Sequence, residues 1–134
     1  MQPVSTIFVV DDNRTFIDLI TMILCTEGYQ VCAFYDAMSA VSEMLRVRPD
    51  LVLVDLSMPR MSGIDLILHM RRCGLTTTPV ILITAGAYNI KTSPIDEFTR
   101  FFVKPLDIVE LLPIVRLACE AYRQRTAQSC SATG

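Results

Sequence analysis

Five side chains that can do chemistry stand where apolar runs end. The run "TIFVV" is followed by Asp11 and Asp12, "LVLV" by Asp55, "VILI" by Thr84 and "RFFV" by Lys104. Each has an ordinary reading by itself. An Asp ahead of a helix caps it, Asp55 before Pro59 is a turn residue, Thr84 is a strand-end hydroxyl, and Lys104 beside Pro105 is a surface cation. Their coincidence calls for more. If the runs are neighbouring strands of a parallel sheet, all five residues fall on one edge, beyond the carboxyl ends of the strands, where functional groups gather. Three carboxylates in one crevice repel each other, and a single lysine does not neutralise them. A divalent cation does, and Mg²⁺ takes one or two protein carboxylates together with water and phosphate oxygens. The set therefore suits phosphoryl chemistry, with Asp55 as nucleophile toward phosphorus and Lys104, the Thr84 hydroxyl and Mg²⁺ on the equatorial oxygens.

The elements needed to converge these residues are legible. Short apolar runs alternate with segments of helical period, the pattern of a parallel sheet covered by helices on both faces. "TIFVV" predicts the first strand. In "NRTFIDLITMILCTEG" the residues Phe16, Leu19, Ile20, Ile23 and Leu24 form a helical stripe, which Gly28 ends. "YQVCAFY" is a second strand, and Ala37, Ala40, Val41, Met44 and Leu45 mark a second helix, stopped by Pro49. The third strand is apolar at every position from 51 to 54, as a strand buried on both faces must be. "GIDLILHMRRCG" predicts a third helix, on which His69 reads as an exposed residue; "PVILIT" and "RFFV" predict the fourth and fifth strands. Between Thr84 and the fifth strand, Ser93 and Pro94 suit the start of a fourth helix of about two turns. Asp107 and Glu110 have capping-box spacing for a last helix to about residue 124, with Ile108, Leu111, Leu112, Val115 and Tyr122 as its stripe and Pro113 a kink inside it. The domain is expected over residues 1–125. The polar segment 126–134 is expected to be a disordered tail or linker stub.

Composition excludes other classes. A chain of 134 residues, 51% hydrophobic, is one domain's worth and can bury a core. The formal net charge of −2 gives no basic face for nucleic acid. The five cysteines, Cys25, Cys32, Cys73, Cys119 and Cys130, are odd in number and none has Cys-x-x-Cys spacing, so they read as thiols of a reducing cytoplasm. The start "MQPVSTIFVVDD" is not a signal segment, and no run reaches the ~20 apolar residues of a membrane span.

The order "VVDDN", "LVLVDLSMPRMSG", "LITA", "FVKP" resembles the receiver domain of two-component response regulators over residues 6 to about 125. The resemblance implies a (βα)5 flavodoxin-like fold, a five-stranded, doubly wound parallel sheet with helices on both faces. It implies that Asp55 is the phosphoacceptor, that Asp11 and Asp12 organise Mg²⁺ with Asp55 and the backbone carbonyl of Ser57, and that Thr84 and Lys104 contact the phosphoryl group. Ala85 and Gly86 would leave room for it, Pro59 and Gly63 would shape the loop into the third helix, and the Lys104–Pro105 peptide would be cis. Phosphorylation would draw Thr84 inward and let Phe101 turn, remodelling the face made by the fourth helix, fifth strand and last helix. The implied partners are a sensor histidine kinase or a histidine phosphotransfer protein, a downstream effector protein, and a second copy through that face, with neither nucleic acid nor membrane bound by this domain. One departure lies on the same face: "DEFTR" runs directly into "FFVKP", without the family's Gly-Ala turn.

Two other readings stay open. A haloacid dehalogenase-like phosphohydrolase also combines an aspartyl nucleophile, a Ser or Thr, a Lys and Mg²⁺, but places a second Asp two residues after the nucleophile, where this chain has Ser57. A receiver-like module that binds proteins without being phosphorylated is the other. A flavodoxin is a weaker rival, because acids follow the first strand where a phosphate-cradling loop is required.

Overall fold

The structure, a computed structural model, describes residues 4–85 and 96–133, with side chains as far as residue 127. Five strands, β1 Thr6–Val10, β2 Gln30–Phe34, β3 Leu51–Asp55, β4 Val80–Thr84 and β5 Thr99–Val103, form one sheet in the order β2-β1-β3-β4-β5, with every pairing parallel. Among the described residues there are four helices, α1 Arg14–Thr26, α2 Ala37–Val47, α3 Gly63–Arg72 and α4 Ile108–Thr133. The short helix expected from Ser93 and Pro94 lies outside the described residues.

Side-chain alternation along the strands splits the core into two layers. Ile7 and Val9 of β1, Leu51 and Leu53 of β3 and Ile81 and Ile83 of β4 point to one face, where Ile17, Ile20 and Leu24 of α1 and Leu111, Val115 and Cys119 of α4 cover them. Phe8, Val10, Val52, Val54, Val80 and Leu82 point to the other, under Ala40 and Met44 of α2 and Leu66, Ile67 and Met70 of α3. All residues of β3 and β4 are buried, which explains their unbroken apolar runs. The sheet is doubly wound, as expected from the sequence. Winding direction reverses between β1 and β3, and the crevice at their carboxyl ends is the switch point of such a sheet.

The helix stripes were legible except at their margins. Leu19 and Leu45 belong by spacing to buried stripes but are 52% and 51% exposed, because a third helical residue per turn overshoots the width of the covered face. Gly28 and Gly74 follow α1 and α3 with φ of 95° and 96°, as helix-ending glycines do. A full capping box opens α3. The Ser62 hydroxyl accepts from Asp65 N, and the Asp65 carboxylate accepts from Ser62 N. The last helix differs most from expectation. It passes through Pro113 and ends at Thr133, so residues 126–133 of the segment expected to be a disordered tail are helical. "RQRTAQ" contains no Gly or Pro to stop it. Arg125 also ties the turn before that tail to the body, donating to Thr77 O (3.0 Å) and lying over the Phe98 ring.

Candidate functional site

The crevice at the carboxyl edge of the sheet holds the residues that the sequence singled out. Asp11 follows β1 and is 1% exposed; Asp55 ends β3 and is 8% exposed. Together with the exposed Asp12, they each offer a carboxylate oxygen, and these atoms all lie within 4.8 Å of one another. Thr84 ends β4 and is buried, Ala85 is exposed beside it, and Gly86 falls outside the described residues. Lys104 immediately follows β5. Its Nζ is 3.3 Å from Asp11 Oδ2 and 4.8 Å from the centre of the Phe16 ring, while its backbone N donates to Thr84 O at 2.8 Å. The Lys104–Pro105 peptide is cis.

The ordinary reading of the acidic pair is excluded by a neighbour. Asn13 caps α1, its side-chain oxygen accepting from Phe16 N at 3.1 Å. Asp11 and Asp12 are therefore not consumed as caps. Asp11 Oδ1 accepts from Asn13 N at 2.9 Å, which fixes the carboxylate's aim, and Oδ2 faces Lys104. The lysine that might have balanced Asp55 is thus already paired.

Electrostatics at Asp55 follow from that pairing. Burial, and then the nearby Asp11 charge, push its carboxyl above the ordinary value of 3.8; Lys104 and a hydrogen bond from Ser57 N oppose this, and Asp12 adds to it. Three carboxylates against one ammonium is a donor set short of positive charge, and an oxygen-rich, acidic pocket of this kind fits Mg²⁺. Ser57 is exposed in the loop just beyond, and its backbone N–H, not a side chain, engages Asp55.

One residue that holds this geometry was only partly legible. A Cβ added to Gly63 would lie 2.6 Å from Asp55 O and 2.7 Å from Leu82 Cδ1, closer than real contacts allow. The Gly63 N–H donates to Leu56 O at 3.0 Å. Only glycine lets the start of α3 close against the end of β3, and the loop carrying Ser57 is shaped by that closure. Pro59-x-x-x-Gly63 signalled a turn; it did not signal how tight it is. Phe101, on the face of β5 toward α2 and α3, is partly buried against their core and paired in register with Leu82.

Comparison with known proteins identifies the family. The profile of the "Response regulator receiver domain" family matches residues 7–116. A probable transcriptional regulatory protein, TcrX, of Mycobacterium tuberculosis is 40% identical over 84 residues, covering 63% of this chain and 35% of that protein. The DNA-binding response regulator MtrA of Mycolicibacterium paratuberculosis is 32% identical over 117 residues, covering 82% of this chain and 49% of that protein. The chain thus spans about a third to a half of the length of these relatives. Among solved structures, a CheY-like receiver domain protein from Methanospirillum hungatei superposes with a TM-score of 0.82 at 21% identity, over 92% of this chain and 99% of that one, which speaks to the fold. Among the described residues, no helix is long and apolar enough to cross a membrane. With its profile match spanning most of the sequence and its acidic crevice at the switch point of the sheet, the chain belongs to the response regulator receiver domain family, the signalling domain of two-component systems.

Proposed function

We propose that Asp55 accepts a phosphoryl group from a phosphohistidine on a partner kinase or phosphotransfer protein. The observation that carries this reading is the convergence of Asp11, Asp12 and Asp55 within 4.8 Å, beside Lys104 and the buried Thr84. An Asp55 carboxylate oxygen attacks phosphorus, the O–P bond forms as the P–N bond breaks, and the imidazole leaves with the electron pair. Asp11, Asp12, Asp55 and the Ser57 carbonyl would hold Mg²⁺, which when bound supplies positive charge to the phosphoryl oxygens. Lys104, exchanging Asp11 for the incoming group, and the Thr84 hydroxyl orient those oxygens, and the small Ala85 leaves the approach open. The haloacid dehalogenase reading falls away with the family assignment and the absence of an acid at Ser57.

The donor protein must reach the rim of this crevice. An apolar groove there runs between α1 and the loop after β5, lined by Phe16, Leu19, Ile23, Pro105 and Leu106, with Lys104 at its end. Its position fits a helix of the phosphohistidine protein. On the output side, movement of Thr84 toward the phosphoryl group frees space for Phe101 and biases the β5 and α4 face between two arrangements, for an effector protein or a second copy to read. The net charge of −2 gives this domain no basic face for nucleic acid.

The test is intact-protein mass after incubation with acetyl phosphate, with and without Mg²⁺. A single Mg²⁺-dependent phosphoryl adduct that is absent in Asp55→Asn is the expected result. No adduct on folded protein, from acetyl phosphate or from phosphohistidine donors, overturns the proposal in favour of a protein-binding module without phosphorylation.

A further inference from the structure

By its position in the sequence His69 is a plain exposed residue of α3. The structure instead brings its imidazole against a thiol. His69 Nε2 lies 3.3 Å from Cys73 Sγ, one helical turn on, and both side chains are half-buried. Tetrahedral coordination with a Zn–N bond of about 2.0–2.1 Å and a Zn–S bond of about 2.3 Å sets the two donor atoms about 3.5 Å apart. The observed separation is close to that chord, so the two donor atoms are already about as far apart as chelation requires.

The surroundings favour a cation. Cys73 is the C-cap of α3, where the last carbonyls carry partial negative charge. Of the neighbouring guanidiniums, that of Arg72 is exposed and that of Arg71 is engaged with Asp96, Leu75 O and Thr78 O. Asp65, one turn before His69, has its carboxylate on Ser62 N and adds negative charge without being a ligand. Among the described residues the acidic crevice is the one cluster of three potential ligands, so this site has two.

We propose that His69 Nε2 and Cys73 Sγ form a bidentate site for a thiolate-preferring divalent cation of the Zn²⁺ class on the outer side of α3. Water completes the coordination, and the Cys73 thiol releases its proton to solvent on binding. Nitrogen and sulfur donors here, against oxygen donors in the crevice, let the two sites select different ions.

The test titrates the full chain, thiols reduced and Mg²⁺ saturating, with Cd²⁺. Binding is read from the thiolate-to-metal ultraviolet band and from the imidazole C–H resonances of His69, which is the chain's only histidine. The expected result is one Cd²⁺ per chain, displaced by Zn²⁺, with His69 resonances shifted and affinity reduced about tenfold or more in each of Cys73→Ser and His69→Gln, since loss of a direct ligand costs at least as much as loss of its support. Circular dichroism establishes that both variants fold. A band that persists in Cys73→Ser, traced to Cys25 or Cys32, or unmoved His69 resonances would overturn the proposal and leave a thiol–imidazole hydrogen bond.

Discussion

Asp55 is a carboxylate whose surroundings favour its neutral form. Burial and the Asp11 charge raise its value in the folded chain, so the native state holds the proton more tightly than the unfolded one. The stability that this proton contributes to the metal-free protein is accordingly lost as pH rises from the ordinary value of 3.8 through the raised one. Removing that charge should therefore stabilise. Asp55→Asn is expected to melt a few degrees above the wild type at neutral pH without Mg²⁺, with the gap closing on saturation with Mg²⁺ and on acidification. Thermal melts of both proteins check this, and a lower melting point for the variant would sink it. The sequence announced the five polar residues because the ends of apolar runs are visible in one dimension. It was silent on which acid pairs with Lys104, since that depends on three-dimensional aim, and on His69 meeting Cys73, since i,i+4 spacing allows many rotamers.

At the scale of elements, Arg71 does more than end a helix. Its guanidinium bonds Asp96 at 2.6 and 3.2 Å and also takes Leu75 O and Thr78 O at 2.8 Å each, joining α3, the loop into β4 and the approach to β5. Asp96 in turn accepts from Phe98 N and Thr99 Oγ1. Burial alone would raise the Asp96 carboxyl, but these partners outweigh it and hold it below 3.8. The stability it contributes is present above that value and is lost as pH falls through the lower, folded one. With a third of the side chain open to solvent, Asp96→Asn should cost about 1 kcal/mol at neutral pH. Urea unfolding across pH tests this; a difference that persists below the folded value would count against it. Strand and helix positions were readable from periodicity, whereas α4's extent was not. A polar composition looks the same in a solvated helix as in a coil, and the anchor at Arg125 is a contact 48 residues away in sequence.

For the whole molecule, the doubly wound order sets the acidic crevice and the apolar groove beside α1 next to each other. Lys104 belongs to both, facing Asp11 on one side and the Phe16 ring on the other. Leu19, which broke the buried stripe of α1, lines that groove, where the proposed phosphohistidine protein would meet it. Leu19→Asp should slow phosphotransfer from a phosphohistidine protein about tenfold or more while leaving acetyl phosphate labelling unchanged, because one apolar anchor often dominates an interface. Equal slowing of both donors would place the residue in the reaction centre and not in docking. The parallel sheet itself was foreseeable, since only burial on both faces accounts for "LVLV" and "VILI".

Those same two runs have a further consequence. Short, uncharged, β-branched segments without proline are what cross-strand aggregation selects, and here they are safe only while β3 and β4 stay covered on both faces. Each is bounded by a residue that resists stacking: Asp55 closes the first with a charge, and Pro79 opens the second without a backbone donor. The carboxylate that the folded crevice encloses is thus also a gatekeeper in the unfolded chain, guarding it during synthesis before there is any crevice for it to serve.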